Sequence, residues 1–401
     1  MSFSSQTDAK PSDILKTMRR VITGTNAQGR SVITHEGRAP GQHENTKIGG
    51  GRGHTDFWVW RQTPQPLNGA EDTGLWPDEF PGPVDGGHLR VVHWLSDNGQ
   101  PEKMLPIVQP HEPKHAADGG RSWDRGGGNN SCISDMHKTE SLDFGIVLEG
   151  ERVLVCDEGS TTIRPGDIVI QVGAWHLWNS VRVGCHMAFD MFSAEFGPGD
   201  GKHGLQEKDV PVMAPRADQP LPAGVKPQRR IVTIDREPGK SMIVSDSSSP
   251  DVRFDAARPG FALHRFWVAE KHPAPMVPES LQLPHVLIPP PTGAVLNVMT
   301  FPPDEAWQGQ AGVAEAKAFY ASVGASAIAT CGSIPGHPYS QKSDTVDFLV
   351  VTEGEITLVV EEGETTLKAG EIGVVRGSNH AFSNRSGKPA TVAIAIHAAK
   401  A

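Results

Sequence analysis

Polar and apolar residues alternate with a period of two from Asp143 to Leu148. Asp143, Gly145 and Val147 point one way and Phe144, Ile146 and Leu148 the other, which predicts a strand with two unlike faces. Further strands are predicted over Arg152 to Cys156, Thr161 to Ile163, Ile168 to Gln171 and Val181 to Phe189, separated by Gly, Pro and Asp turns. Many short strands without intervening helices predict an all-β sandwich or barrel. Helical spacing occurs at Ser12 to Arg20, with Ser12 as N-cap, and at Val313 to Val323, where Val313, Ala316, Tyr320 and Val323 share a face.

The pattern occurs twice, about 205 residues apart, which predicts two copies of one domain. Arg20-Val-Ile-Thr returns as Arg230-Ile-Val-Thr, Phe57-Trp-Val as Phe266-Trp-Val, and the strand Leu89 to Leu95 as Ala294 to Phe301. The segment TESLDFGIVLEG, Thr139 to Gly150, matches SDTVDFLVVTEG, Ser343 to Gly354. A Gly-acid pair follows in each copy, Gly166-Asp167 or Gly370-Glu371, then Gly173 or Gly377, then His176 or His380. The expected domains are 1–205 and 206–401, joined near Pro198 to Pro227.

Composition narrows the function. Lys and Arg total 37 against 47 Asp and Glu, a formal charge of -10, which would repel a nucleic-acid backbone. The repeated pairs Arg19-Arg20 and Arg229-Arg230 are read as structural partners of carboxylates. Four separated cysteines, Cys132, Cys156, Cys185 and Cys331, form no CxxC pair, so reduced thiols are expected and not a disulfide framework or a zinc ribbon. No long apolar run or signal-peptide pattern is present, and the expectation is a soluble cytoplasmic protein without nucleic-acid or membrane partners. The Gly49-Gly-Gly-Arg-Gly stretch lacks the Lys-Ser/Thr of a phosphate-binding loop. Residues 109–131 read as a long loop, either a lid or a disordered insertion.

On an extended backbone His137, Thr139, Ser141 and Asp143 share a face. If that face looks into a barrel, the interior holds an imidazole and a carboxylate about 20 Å apart along one strand, unless the polar run Lys138 to Ser141 bends. His176, beside Trp175 and Trp178, could join them from a later strand. Either tryptophan packs in the core or walls a pocket. Glu149 and its counterpart Glu353 are expected to be solvated at a turn.

Both blocks resemble the cupin superfamily, whose motifs read G-x5-H-x-H-x3,4-E-x6-G and G-x5-P-x-G-x2-H-x3-N, and the chain resembles a bicupin. The resemblance implies two tandem double-stranded β-helix (jelly-roll) barrels with minor peripheral helices, core motifs spanning 137–180 and 341–384. It implies a divalent metal, Fe(II) favoured with Zn, Mn or Ni as alternatives, held by His137, Asp143 and His176. Thr139 stands where the second motif histidine belongs, and Ser180 replaces the final Asn, with Asn179 adjacent. In the second copy Asp347, His380 and Asn384 match, while Gln341 and Ser343 replace both motif-1 histidines. The first barrel is therefore expected to be active and the second degenerate, unless His337 substitutes by a loop movement.

Three functions fit the resemblance. One is a metal-dependent oxidoreductase, a dioxygenase acting on a small aromatic or enolic compound, with His176 catalytic and Thr139 and Trp178 at the substrate. The second is a non-redox isomerase or lyase in which the metal is a Lewis acid or absent and His176 does acid–base work. The third is a bicupin that binds a ligand or serves structurally, without metal. Cupin barrels often pair through exposed sheet edges, so the resemblance admits a homodimer, while the sequence does not give the oligomeric state.

Overall fold

The computed structural model describes residues 12–45, 52–69, 71–94, 111–116, 120–126, 136–179, 184–196, 220–237 and 240–401. Two nine-stranded sheets dominate, and each works with a three-stranded sheet that closes it: Arg152–Cys156, Gly159–Ile163 and Leu177–Asn179 in the first copy, Glu355–Val360, Gly363–Lys368 and His380–Ser383 in the second. The fold is all-β, the double-layered jelly roll that the alternating pattern predicts. Arg152–Cys156 and Ala294–Phe301 are strands over the residues expected, and the others shift by a few positions, Asp143 to Leu148 growing to Ser141–Gly150. Cys132, Gly49 to Gly51, Ser180 and most of the proline-rich connection lie outside the described residues.

The two faces of Ser141–Gly150 have different destinations. Leu142, Phe144 and Ile146 pack in a core shared with Val346, Phe348 and Val350 of the repeated strand, so the large sheets meet back to back. The odd residues turn inward: Val147 joins the first barrel's own cluster, and Leu349 and Val351 join that of the second.

Each half donates its leading hairpin to the other half's sheet. Arg19–Thr25 pairs in parallel with Ile372–Arg376, and Arg229–Glu237 with Ile168–Val172. The acid of each repeated Gly-acid pair receives the incoming arginine: Arg229 Nη1 lies 2.8 Å from Asp167, and Arg19 Nη1 2.5 Å from Glu371. The adjacent arginines are buried and matched, Arg20 with Asp72 at 2.6 Å and Arg230 with Glu279 at 2.6 Å. Both pairs are thus structural, as expected, and they fasten the exchanged strands. Glu149 and Glu353 stay half exposed and pair with Lys16 and Lys226.

The first expected helix is absent. Ser12 Oγ does accept from the amides of Ile14 and Leu15, a capping geometry, but the chain bends onward and enters a strand at Arg19. So short a segment has little intrinsic helical stability, and pairing on both edges of Arg19–Thr25 overrides it. The helix Val313–Ser322 forms, with Ala316, Phe319 and Tyr320 buried; Val313, at its first turn, is exposed and not part of the packed face. Within 109–131 the described residues are not simply loop. Lys114–His115 and Ser122–Asp124 make a small sheet with His137–Thr139.

Candidate active site in the first barrel

The entering strand breaks where the polar run allows it. His137–Thr139 and Ser141–Gly150 are separated at Glu140, and the break turns His137 toward the strand that carries His176. The two residues exchange backbone hydrogen bonds of 2.9 Å each way, and their rings stand 4.3 Å apart. Gly173, three residues before His176, has φ +55°, and a Cβ there would sit 2.4 Å from Met276 Sδ; Gly377 repeats the geometry with φ +56° against Leu67. Only glycine adopts that turn at no cost, which explains its place before each histidine.

His137, Thr139, Asp143, His176 and Trp178 line one cavity of about 320 Å³. Trp175 does not: it is fully buried, stacked beneath the Arg125 guanidinium at 4.6 Å. Ladder pairing supplies the rest of the floor. Gln171, Asp143, Met191 and His88 are directly opposed on four neighbouring strands, so their side chains form a single row on the inner face. Asp143 Oδ1, both amide atoms of Gln171 and both ring nitrogens of His88 are buried without a hydrogen-bond partner. Such groups are costly to leave unpaired in a protein interior, and here they all face one cavity. A ligand carrying oxygen atoms would satisfy them.

Electrostatics follow from burial. Desolvation pushes the Asp143 carboxyl up to about 7, with a smaller contribution from Asp190. Burial, and then the neighbouring His137, hold His176 well below the usual imidazole value. His176 Nδ1 donates to Ala174 O at 2.8 Å; because a carbonyl only accepts, the proton is on Nδ1 and Nε2 keeps its lone pair. The mouth is charged: Arg90 pairs with Asp56 at 2.9 Å and Asp78 at 3.0 Å.

The second barrel keeps the backbone and loses the site. Gln341 and His380 exchange the same backbone bonds as His137 and His176. Gln341 Nε2, however, donates to His380 Nε2 at 3.1 Å, while Gln341 Oε1 accepts from the Tyr320 hydroxyl at 3.0 Å. Equivalent positions in the floor row are Val375, Asp347, Ile396 and Val295, and Phe319, Tyr320, Trp307 and Tyr339 join the apolar cluster of that barrel. Asp347 is the one acid left in that row, raised by burial to about 7. A raised carboxyl is protonated when folded but ionised when unfolded between about pH 4 and 7, so its contribution to stability falls as pH rises through that window. Asp347→Asn is therefore expected to raise the unfolding free energy at pH 8 by on the order of 4 kcal/mol and to leave it unchanged below pH 4. Urea titrations at the two pH values check this.

The cupin metal position holds few donors. His137 and His176 adjoin, but Thr139 Oγ1 is engaged with Ser141 at 2.7 Å. Asp143 stays on the floor row and does not complete a three-donor cluster with the two histidines. Two imidazoles fall short of the three protein donors that a catalytic centre uses, so the residues at the motif position do not fit the implied group.

Sequence reasoning missed His88, Gln171, His54, Asp78 and Arg90. Arg90 lies in a strand read only as hydrophobic and His88 just before its expected start, in the observed strand Gly87–Trp94; their two-residue spacing around Leu89 was the signal available.

A jelly-roll barrel of this build, with a polar floor and aromatic walls, is a cupin barrel. No protein-family model matches the chain. Over 173 residues, 43% of this chain and 71% of the relative, it is 46% identical to a cupin-domain-containing oxidoreductase of Hypocrea virens, and the chain belongs to that cupin family. It is 50% identical over 46 residues, 11% of this chain, to a phomopsin biosynthesis cluster protein of Diaporthe leptostromiformis, and spans about a quarter, 24%, of that relative's length. Among solved structures, salicylate 1,2-dioxygenase from Pseudoaminobacter salicylatoxidans matches at 11% identity and TM-score 0.32, over 78% of this chain and 71% of that one. No helix among the described residues is long and apolar enough to cross a membrane.

Proposed function

We propose that the chain is a cupin oxidoreductase that oxidises a small aromatic or enolic compound in the first barrel, with O2 as the oxidant. The observation that carries this reading is the floor of unpartnered polar atoms in a cavity walled by Trp94, Trp178 and Phe189. A planar ring or enol would lie against the aromatic side chains, its oxygens meeting Gln171, Asp143 and His88. His176 Nε2 is the base that would take the hydroxyl proton, since an enolate or phenolate gives up electrons more readily than the neutral compound. The Fe(II), or Zn, Mn or Ni after it, that the resemblance implies lacks a full donor set at the motif position. No step is assigned to it at the motif position.

Oxygen uptake by the purified chain, screened against catechols, gentisate-like acids and enols, tests the reading. Uptake stoichiometric with loss of one of these compounds supports it, and binding without uptake across the panel overturns it. A second reading has its own support in the pairing of a near-neutral Asp143 carboxyl with a deprotonated His176, an acid and a base on one cavity. An isomerase or lyase of this kind would convert an enolisable compound without consuming oxygen.

A further inference from the structure

Among the described residues, three side chains do bring one ligand atom each within 4.8 Å of one another: His43, His54 and Asp56. The convergence follows from strand geometry. His43 and His54 are directly opposed in the antiparallel pair Gly41–Glu44 and Gly53–Trp60, and Asp56 lies two residues beyond His54 on the same face. His43 Nε2 stands 3.5 Å and His54 Nε2 3.9 Å from Asp56 Oδ2. Both nitrogens are buried; His43 Nε2 makes no hydrogen bond, and His54 Nε2 faces only carboxylate oxygens. Ligands about 2.0–2.2 Å from one metal ion sit about 3–3.6 Å apart, so the two histidine–aspartate spacings need only a few tenths of an ångström of adjustment, while the stacked His43 and His54 rings, whose ligand atoms lie within 4.8 Å, must turn toward each other. Asp78 Oδ1, 3.1 Å from His54 Nε2, offers a fourth donor.

Arg90 is the cation already present. Its Nε binds Asp56 Oδ1 at 2.9 Å and its Nη2 reaches Oδ2 at 3.2 Å and Asp78 at 3.0 Å. Two carboxylates around one guanidinium leave a net negative charge, and an arginine bracing a ligating carboxylate is a common outer support. Strand pairing alone does not demand this set. In the second sheet the corresponding ladder positions hold Arg253, Leu263, Arg265 and Asn297, and Arg265 is closed by Asp251 at 2.8 Å.

We propose that His43, His54 and Asp56, with Asp78, form a site for a divalent transition-metal ion at the mouth of the first-barrel cavity, separate from the cupin motif position at His137 and His176. His54, Asp78 and Arg90 line the cavity together with the motif histidines, so an ion there would face the ligand from the entrance. The inference does not depend on the proposed reaction.

The test is a titration of the chelator-stripped full chain with Co(II), read by its visible absorption, and with Zn(II). One ion per chain is expected. His43→Ala and His54→Ala should each weaken binding by on the order of 100-fold, and His176→Ala should leave it unchanged. Asp78→Asn, at a half-exposed position, serves if an alanine variant fails to fold, with at least about 10-fold weaker binding expected. Binding that is lost in His176→Ala and kept in His43→Ala overturns the proposal, as does a folded wild-type chain that binds neither ion. Because the titration does not read turnover, its failure and the failure of the oxygen-uptake reading are distinguishable.

Discussion

His176→Ala will lower kcat/KM for oxygen uptake by on the order of 10²–10⁴-fold, the range that general acid–base groups contribute, while the fold seen by circular dichroism is retained. The imidazole is pinned at Nδ1 by Ala174 O and presents Nε2 beside His137 at the cavity wall. Burial holds its pKa far down, so activity should not be lost through protonation of His176 at mildly acidic pH. His380→Ala supplies the control. That histidine makes the same backbone contact, but its Nε2 is occupied by Gln341, and turnover should be unaffected. Equal losses in both variants would show that the histidines serve the fold and not the reaction.

Asp235→Ala will cost about 3–5 kcal/mol of stability, the range measured when one partner of a buried ion pair is removed. Lys138 Nζ lies 3.0 Å from Asp235 Oδ2, with both side chains almost wholly buried, and Asp235 Oδ1 also accepts from the Trp175 amide at 3.0 Å. Without the carboxylate an ammonium is left in the interior beneath His137 and Thr139. Asp235 comes from the hairpin that the second half donates, so the first barrel's site is braced by the other half. Chemical denaturation should show a lowered midpoint, and ligand affinity should fall even where the variant remains folded. The double variant Lys138→Met, Asp235→Leu should recover most of the stability, because replacing both members of such a pair by apolar groups removes the uncompensated charge. A single variant as stable as the wild type would sink the account.

Much of the fold was legible from the chain because strands signal themselves locally. The alternation around Asp143 needs two unlike faces, and the same offsets from Gly166 to His176 and from Gly370 to His380 mark a repeated unit. The site was legible in part. His137, Thr139, Asp143, His176 and Trp178 line the cavity, since all sit in the repeated motifs. His88 and Gln171 were not legible, because what makes them part of the floor is their opposition to Met191 and Asp143 across the sheet. Trp178, expected at the substrate, lines the cavity, whereas Trp175, one residue before His176, faces the Arg125 and Lys138 side chains and packs in the core.

By itself the sequence determined the kind of element each segment forms, the duplication, and the degeneracy of the second copy, because these depend on residue types at short, fixed spacings. Only the tertiary structure decided that each half lends its first hairpin to the other, that His43, His54 and Asp56 converge, and that the floor row is unpaired. Those features depend on which strands become neighbours, and ladder register couples residues tens to hundreds of positions apart, a relation that no local pattern encodes.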